Sequence, residues 1–393
     1  MAHETPIRAP VGLPTFRPSL TLFLCLFAGQ AAILVLSPIL PDVAQDLGVS
    51  TAVAGQLRAV SGLVAAVAAV SAGPLARRMG LRDLLLVGLS VLALGSIASA
   101  AAPTFPVLAA AQVLIGVGLG IVLAGGVAAA SEWAPDGGRA RVLSWALLGP
   151  PAAWVVGMPV AGAVANLDWR YAWIAVPLLA SLLALLAVRS RRSDEPSAAM
   201  GGWGRLWHNR DVLGWAVGEV LAYSAWVGTL VYAGALFAEE HGATPGIVGL
   251  LLAAGAVAYM PGNFLARRWV GDSSRSFLIG LALAAAVGVA MFGAVRPALW
   301  VSVVAFAGLG FVGGARTMLG SAFGLDAAPG LELVVTSVRA AALQLGYLIG
   351  AALGGFALGL GGYTGLGLAL SALFLLASVP HVAAVARSGP CSD

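Results

Sequence analysis

The feature that most constrains this chain is a series of long apolar runs between residues 18 and 385. Stretches of at least about 18 apolar residues are long enough to cross a bilayer as helices. Only 10% of the residues are charged, against about 25% in a soluble domain. We therefore predict an all-α integral membrane protein with twelve transmembrane helices, at 18–40, 52–74, 83–102, 106–130, 142–165, 171–188, 212–236, 246–266, 276–295, 298–323, 333–359 and 363–385.

The basic residues predict how the chain is oriented in the membrane. All 21 of them are arginines. If both termini are cytoplasmic, 16 arginines fall in cytoplasmic segments, two in outer loops and three inside spans. Because cytoplasmic loops are enriched in arginine and lysine, this bias predicts that both termini are inside. We expect a multi-pass protein of a bacterial inner (plasma) membrane. The net charge of +4 then reflects orientation in the lipid bilayer, and no nucleic-acid partner is expected.

The polar segment 189–211 divides the predicted spans into six and six. The sequence Leu-Ala-Arg-Arg begins at Leu75 and again at Leu265, 190 residues later, and Gly-Leu-Gly recurs at the same spacing from Gly118 to Gly308. Such internal repeats are typical of secondary transporters, in which one bundle rocks against the other. We predict five units: a tail at 1–17, a six-helix bundle at 18–188, a linker at 189–211, a second six-helix bundle at 212–386 and a tail at 387–393.

The first Leu-Ala-Arg-Arg copy lies in the segment GPLARRMGLRD, which resembles the cytoplasmic signature of the major facilitator superfamily between its second and third spans. The resemblance extends over essentially the whole chain and implies two six-helix bundles that work by alternating access. Arg77 departs from the signature, because the family has an acidic residue there, and Asp83 is a nearby alternative acid. The resemblance implies a cytoplasmic gate motif formed by Gly73, Leu75, Arg77, Arg78, Gly80, Arg82 and Asp83.

The fifth predicted span, with GPPAAWVVGMPVAGA, is similar in content to the Gly-Pro-x-x-Gly-Gly pattern of drug-proton antiporters and favours the efflux branch. Small residues let transmembrane helices approach closely, and glycine and proline also permit bending. Packing and gating therefore both remain open for the residues of this pattern, which are Gly149, Pro150, Gly157, Pro159 and Gly162.

Ionisable side chains at membrane depth cost at least about 2.5 kcal/mol on insertion scales, so each of them indicates a function or a specific partner. Glu219, Arg316 and Arg339 lie at similar depth in predicted spans 7, 10 and 11. We predict that Glu219 pairs with Arg316 or with Arg339, and that these three residues are the candidates for proton coupling. A permanent salt bridge that fixes helix packing is the alternative interpretation.

Other polar groups inside the spans are candidates for a substrate cavity. Arg58 lies near the outer end of span 2, where it either lines the cavity or anchors the helix by pairing with Asp42 or Asp46. Three intramembrane arginines face one glutamate, which favours a neutral or anionic substrate over a cation. The further cavity candidates are Gln30, Gln112, Tyr223, Trp226 and Asp42.

Motifs for other kinds of chemistry are weak in this sequence. The pattern Gly-x-Gly-x-x-Gly at 308–313 lies in the middle of an apolar run, where a dinucleotide site is not expected. Two distant cysteines and four scattered histidines show no metal-ligand spacing. We therefore expect no cofactor, no metal and no enzymatic activity.

The function predicted from the sequence is transport driven by an ion gradient. We predict a monomer that exports a small organic molecule in exchange for protons. Two alternatives remain: a proton symporter or uniporter that imports an organic anion, and a non-transporting receptor or scaffold on the same fold.

Overall fold

The computed structural model describes residues 13–135, 137–190, 210–271, 274–328 and 332–388, and these residues form helices joined by short turns. Ten helices are long and apolar enough to cross a membrane, and two of them have about twice the length that crossing requires. These are the helices Thr51–Ala100 and Glu332–Ser388, each interrupted at a glycine. The predicted twelve-span, two-bundle architecture is thereby confirmed; residues 191–209 of the predicted linker lie outside the described residues.

The first six spans differ in how regular they are. Span 1 is Leu13–Leu34 continued by Leu36–Asp46, spans 2 and 3 are the two parts of Thr51–Ala100, and span 4 is Phe105–Glu132. Spans 5 and 6 each contain a π-helical turn: span 5 comprises Arg139–Ala146, Gly149–Ala152, Ala153–Gly157 and Met158–Ala165, and span 6 comprises Trp169–Trp173, Ile174–Leu178 and Leu179–Arg189.

The last six spans are more continuous. Span 7 is Arg210–His241, span 8 is Pro245–Ala266 with a 3₁₀ turn at Arg267–Trp269, span 9 is Ser274–Ala294 and span 10 is Leu299–Ala327. Spans 11 and 12 are the two parts of Glu332–Ser388.

The breaks between spans 2 and 3 and between spans 11 and 12 occur at glycines, at Gly80 in the first and at Gly361 and Gly362 in the second. Gly80 has φ 79° and Gly362 has φ 57°, a region that only glycine enters without steric cost. The sequence predicts a short loop around residues 74–83, but the chain there is helical on both sides of Gly80. The first copy of the arginine motif therefore lies on helix, just before the break at Gly80.

The two motif copies occupy equivalent environments. Residues 71–79 and 261–269 show the same order of buried, half-buried and exposed positions. Ala76 and Ala266 are buried in the two copies, whereas both arginine pairs that follow them are exposed. The repeat seen in the sequence is thus also a repeat of structure.

The contact between spans 2 and 4 in the first bundle is equivalent to the contact between spans 8 and 10 in the second. A Cβ atom on Gly120 would collide with the carbonyl oxygen of Ala65, and one on Gly310 would collide with the carbonyl oxygen of Gly255. Both members of the second pair lie 190 residues after those of the first. Span 4 therefore packs on span 2 as closely as span 10 packs on span 8, and glycine is what permits it.

The two bundles meet mainly at the end of the molecule opposite the termini. There span 2 packs along span 11, the second half of span 5 packs on the start of span 8, and Leu36–Asp46 packs on the end of span 7. Gly234 of span 7 lies against the carbonyl of Ser37, and Gly162 of span 5 lies against that of Pro245. The bundles are therefore closed together at the end opposite the termini.

We expect Gly310→Ala to lower the free energy of unfolding by about 1–3 kcal/mol, because the added methyl group would force spans 8 and 10 apart. Gly308→Ala is the matched control, since a Cβ atom at Gly308 meets nothing within 4 Å. Thermal unfolding of the two variants in detergent measures the difference. Equal melting temperatures for both would contradict the close packing described here.

Candidate functional site

A buried carboxylate stands between spans 7 and 10. Glu219 lies about two turns into span 7 and is 1% exposed. Span 10 makes room for it with Gly320, where an added Cβ atom would lie 2.5 Å from the Glu219 Oε1 atom. Another glycine of span 10, Gly324, lies against the ring of Trp215, whose Nε1 donates to the Gly320 carbonyl at 2.7 Å. Glycines on span 10 therefore allow span 7 to bring a carboxylate into the bundle.

Two arginines from different helices contact this carboxylate. Arg316 Nη1 of span 10 donates to Glu219 Oε1 at 2.9 Å, and its Nη2 donates to the carbonyl of Gly218 at 3.1 Å. Arg339 Nε of span 11 lies 3.4 Å from Glu219 Oε2. The sequence left open which arginine pairs with Glu219, and the structure brings both to it.

Arg339 also contacts two neutral side chains. Its Nη2 donates to the hydroxyl of Tyr223 at 2.6 Å, and its Nη1 donates to Ser321 Oγ. Tyr223 belongs to span 7 and Ser321 to span 10. Arg339 thus connects span 11 to spans 7 and 10. We call Glu219, Arg316 and Arg339 the charge cluster.

The charge cluster has an excess of positive charge. One carboxylate faces two guanidinium groups, so the three ionised side chains sum to +1. Arg316 Nε and Arg339 Nε have no hydrogen-bond partner among the described residues. Buried charges are strongly stabilised only when their partners and hydrogen bonds are complete. The cluster is therefore sensitive to the loss of its single negative charge.

An aromatic group connects the two bundles beside the charge cluster. Trp226 of span 7 stacks on Trp154 of span 5 with ring centroids 6.2 Å apart, and on Tyr259 of span 8 at 6.5 Å. Trp154 lies in the π-helical turn Ala153–Gly157, and such turns often mark functional sites. A cleft next to this stack is lined by Tyr223, Trp226 and Arg316, among others. Three predicted site residues therefore share one cleft.

Several predicted cavity residues lie elsewhere. Gln112 is fully buried and donates to Ser99 Oγ at 3.1 Å, within the N-terminal bundle. Gln30 donates to the hydroxyl of Tyr347 on span 11 at 3.3 Å, across the bundle interface. Asp42 is half-buried on the second half of span 1.

The pairing predicted for Arg58 with Asp42 or Asp46 is wrong. Asp46 instead pairs with Arg170 at 2.9 Å and accepts a hydrogen bond from Trp169 Nε1 at 3.1 Å. Arg58 is 0% exposed and makes no ion pair within the described part of the chain. The arginine points into the protein, where sequence spacing suggested an anchor at the outer surface.

The predicted gate motif lies on the face that carries the termini. Arg82 pairs with Asp83 at 2.8 Å, and its Nη2 donates to the carbonyl of Arg189, at the end of span 6, at 3.2 Å. Arg77 and Arg78 are exposed, Gly80 forms the break, Leu75 is half-buried and Gly73 has open space around it. In this conformation the motif therefore links spans 3 and 6 within the N-terminal bundle.

The candidate hinge residues of span 5 have different environments. Gly149 lies against the backbone of Phe23 and Phe27, and Gly162 touches the other bundle. Gly157, which ends the π-helical turn, meets only side chains, the nearest at 3.4 Å. Pro150 and Pro159 lie on either side of that turn. Close packing thus explains Gly149 and Gly162, and the π-helical turn falls between the two prolines.

Sequence reasoning missed three groups near the site. His381 of span 12 is 4% exposed, with Nε2 3.3 Å from the place of a Cβ atom on Gly218. Its position inside an apolar run was the available signal. Trp154 and Tyr259 gave no comparable signal, because tryptophan and tyrosine are common in spans for packing alone.

Twelve helical spans in two bundles, with a buried charge cluster and an aromatic cleft, define a multi-pass membrane transporter. Residues 22–238, more than half of the chain, match the family model described as Major Facilitator Superfamily. The chain belongs to that family.

Two curated relatives match parts of the chain. The uncharacterized MFS-type transporter YbcL of Bacillus subtilis (strain 168) is 26% identical over 155 residues, which cover 39% of this chain and 40% of YbcL. The chloramphenicol efflux pump Rv0191 of Mycobacterium tuberculosis (strain ATCC 25618 / H37Rv) is 33% identical over 176 residues, 43% of each chain. The chain thus matches less than half the length of either relative.

Two solved structures share the fold over nearly the whole chain. A D-xylose-proton symporter superimposes with a TM-score of 0.70 at 15% identity, covering 93% of this chain and 96% of the symporter. A bacterial homolog of the human lysosomal transporter Spinster, in an inward-facing and unoccupied conformation, gives a TM-score of 0.66 at 13% identity and covers 96% of both chains.

We expect Glu219→Gln to destabilise the protein by about 3–5 kcal/mol, because it leaves two buried guanidinium groups without a counter-charge. Arg339→Gln should cost much less, since it leaves the Glu219–Arg316 pair balanced. Thermal unfolding in detergent ranks the two variants.

The matched control for that ranking is Glu240→Gln, which removes a surface ion pair with Arg296 and should cost at most about 1 kcal/mol. A larger loss of stability for Arg339→Gln than for Glu219→Gln would show that the net charge of the cluster is not what matters.

Proposed function

We propose that this protein is a proton-coupled exporter of small organic molecules that works by alternating access, as a monomer in a bacterial inner membrane. The observation that carries the proposal is the position of Glu219, a buried carboxylate tied to arginines of two other spans. An intramembrane carboxylate in such a position is a natural group to bind and release a proton.

Proton binding at Glu219 would change how spans 7, 10 and 11 hold together. The ionised carboxylate attracts both guanidinium groups and draws the three helices to one point. Protonation removes that attraction and leaves two like charges, which favours an arrangement in which Arg316 or Arg339 moves away. The proton therefore acts as a ligand with different affinity for two arrangements of the bundle, as coupling requires.

The proposed direction of transport, export, rests on the orientation of the chain in the membrane and on which end of the two bundles is closed. The arginine bias assigns both termini to the cytoplasm. The bundles are packed together at the opposite end, which would be the outer face. The aromatic cleft and charge cluster would then be reached from the cytoplasm, where an exporter collects its substrate.

The chemistry of the cleft favours a substrate with an aromatic ring and without positive charge. Trp226 and Tyr223 offer ring faces, and Arg316 offers a guanidinium group. The relative Rv0191 is a chloramphenicol efflux pump, and chloramphenicol is a neutral aromatic molecule. We therefore choose chloramphenicol as the first test substrate.

An importer of an organic anion is the second candidate. The observation in its favour is the +1 charge of the cluster, which would attract an anion more strongly than a neutral molecule. Imposing the gradient in each direction separates the two candidates.

Inside-out membrane vesicles with an acidic lumen provide the test. We expect the wild-type protein to accumulate chloramphenicol in the lumen as protons leave it, and Glu219→Gln to lose this accumulation by at least about tenfold. Glu219→Gln should still exchange chloramphenicol across the membrane without a gradient. Transport is expressed per molecule of folded protein, because the variant is also expected to be less stable.

Glu240→Gln is the control in the vesicle assay and should transport as the wild type does, because its carboxylate lies at the surface. Unchanged accumulation and pH dependence in Glu219→Gln would overturn the coupling assignment. Flux only in the opposite direction would select the importer, and specific binding without any flux would favour a receptor.

A further inference from the structure

Arg58 is a buried arginine for which the charge cluster provides no role. It lies two turns into span 2, in the outer half of the N-terminal bundle, and is 0% exposed. Its guanidinium makes one hydrogen bond, a long one of 3.5 Å from Nη1 to the carbonyl of Ala32. Nε and Nη2 are buried and have no hydrogen-bond partner in the described residues. Four of the five N–H groups of this cation thus have no hydrogen-bond partner in the described residues.

The surroundings of Arg58 are polar but not acidic. Tyr347 of span 11 is close enough to interact electrostatically with it, and the Tyr347 hydroxyl accepts a hydrogen bond from Gln30 Nε2 of span 1 at 3.3 Å. Gly62, one turn further along span 2, packs against the backbone of Gln344 and Leu348. Spans 1, 2 and 11 therefore meet at the guanidinium, and the hydrogen-bonded Gln30 amide and Tyr347 hydroxyl lie at this meeting point.

The energetics of this arrangement point to an anion. A buried charge without a partner costs several kcal/mol, and membrane proteins keep such residues where they contact a substrate or an ion. A carboxylate fits the planar guanidinium well, because it accepts two parallel N–H donors.

We infer that Arg58, with Gln30 and Tyr347 beside it, is a second binding site of this transporter, for the carboxylate group of an organic anion. The site lies where the two bundles meet, since Arg58 and Gln30 belong to one bundle and Tyr347 to the other. A carboxylate enters when span 2 separates from span 11, and it is enclosed when they close. Binding therefore favours the conformation in which the outer end is closed.

The inference rests on the proposed function and deepens it by naming the chemical class of substrate that the outer half of the pathway accepts. The charge cluster and the Arg58 site are separated along span 11, where Arg339 lies two turns before Tyr347. An organic anion can thus be held first at Arg316 and Arg339 and then at Arg58. Transport of anions rather than of neutral molecules would depend on the second site.

The test compares benzoate with benzamide, two molecules of the same shape that differ in charge. The full chain is purified in detergent without any gradient, so the result is independent of whether transport is coupled to protons. Ligand-dependent thermal stability should show tighter binding of benzoate than of benzamide to the wild type. Arg58→Gln should weaken benzoate binding by about tenfold and leave benzamide binding unchanged.

Two further variants assign the effect to Arg58. Arg170→Gln removes an outer arginine that is already paired with Asp46, and should keep the wild-type preference for benzoate. Arg58→Lys should keep part of it, because it retains the charge without the paired donors. Loss of the preference for benzoate in Arg339→Gln but not in Arg58→Gln would place the anion at the charge cluster and overturn the inference. A wild-type protein that does not bind benzoate more tightly than benzamide would also overturn it.

A measurement on the wild type avoids the possibility that Arg58→Gln fails to fold. Phenylglyoxal modifies accessible arginine side chains, and mass spectrometry locates the modified residues. We expect slow modification of Arg58, as the outer end opens, and at least about a fivefold decrease with benzoate, with Arg170 unaffected. Modification of Arg58 at the same rate with and without benzoate, or no modification at all, would contradict a carboxylate site there.

Discussion

The ion pairs of Glu219 are the interaction on which the C-terminal bundle depends. Glu219 is the one fully buried carboxylate in the described part of the chain. It contacts Arg316, which lies 97 residues further along the sequence, and Arg339, which lies further still. A bilayer offers no water to replace these contacts, so the position of each helix and the charge of Glu219 are linked. Any event that neutralises Glu219 must therefore change the packing of spans 7, 10 and 11.

Glycine makes this arrangement possible. In a membrane, helices gain nothing by hiding apolar side chains from one another, so close van der Waals packing has to hold them together. Gly310 against Gly255 and Gly320 against Glu219 show the two uses of a missing side chain. The first lets two backbones approach, and the second leaves space for a polar group. A chain with 52 glycines can combine tight bundles with a polar interior.

The sequence predicted the architecture well because spans are set by local length and hydrophobicity. It also identified Glu219, Arg316 and Arg339, since a charge in an apolar run is conspicuous in any order of helices. It failed where the answer depended on which face of a helix meets which neighbour. Apolar residues cover all sides of these spans, so no periodicity showed that Arg58 points inward or that Trp154 stacks on Trp226, 72 residues further along the chain. The short loop expected between the predicted spans 52–74 and 83–102 was wrong for a different reason, because a single glycine with positive φ, Gly80, separates the two helices.

The internal repeat shows where the two halves differ in their buried residues. At the offset of 190 residues, Glu219 corresponds to Gly29 and Arg316 to Gly126. Those two glycines lie against Leu119 and Leu26, so the N-terminal bundle has apolar packing where the C-terminal bundle has its charge cluster. The same scaffold thus provides one bundle with apolar packing at this depth and one with a charge cluster. The ion pairs Arg82–Asp83 and Arg170–Asp46 of the N-terminal bundle lie towards its two ends, whereas Glu219 is buried inside the C-terminal bundle. This difference confines the proposed proton response to the C-terminal half, and the N-terminal half contributes its buried arginine, Arg58, at the surface where the two bundles meet.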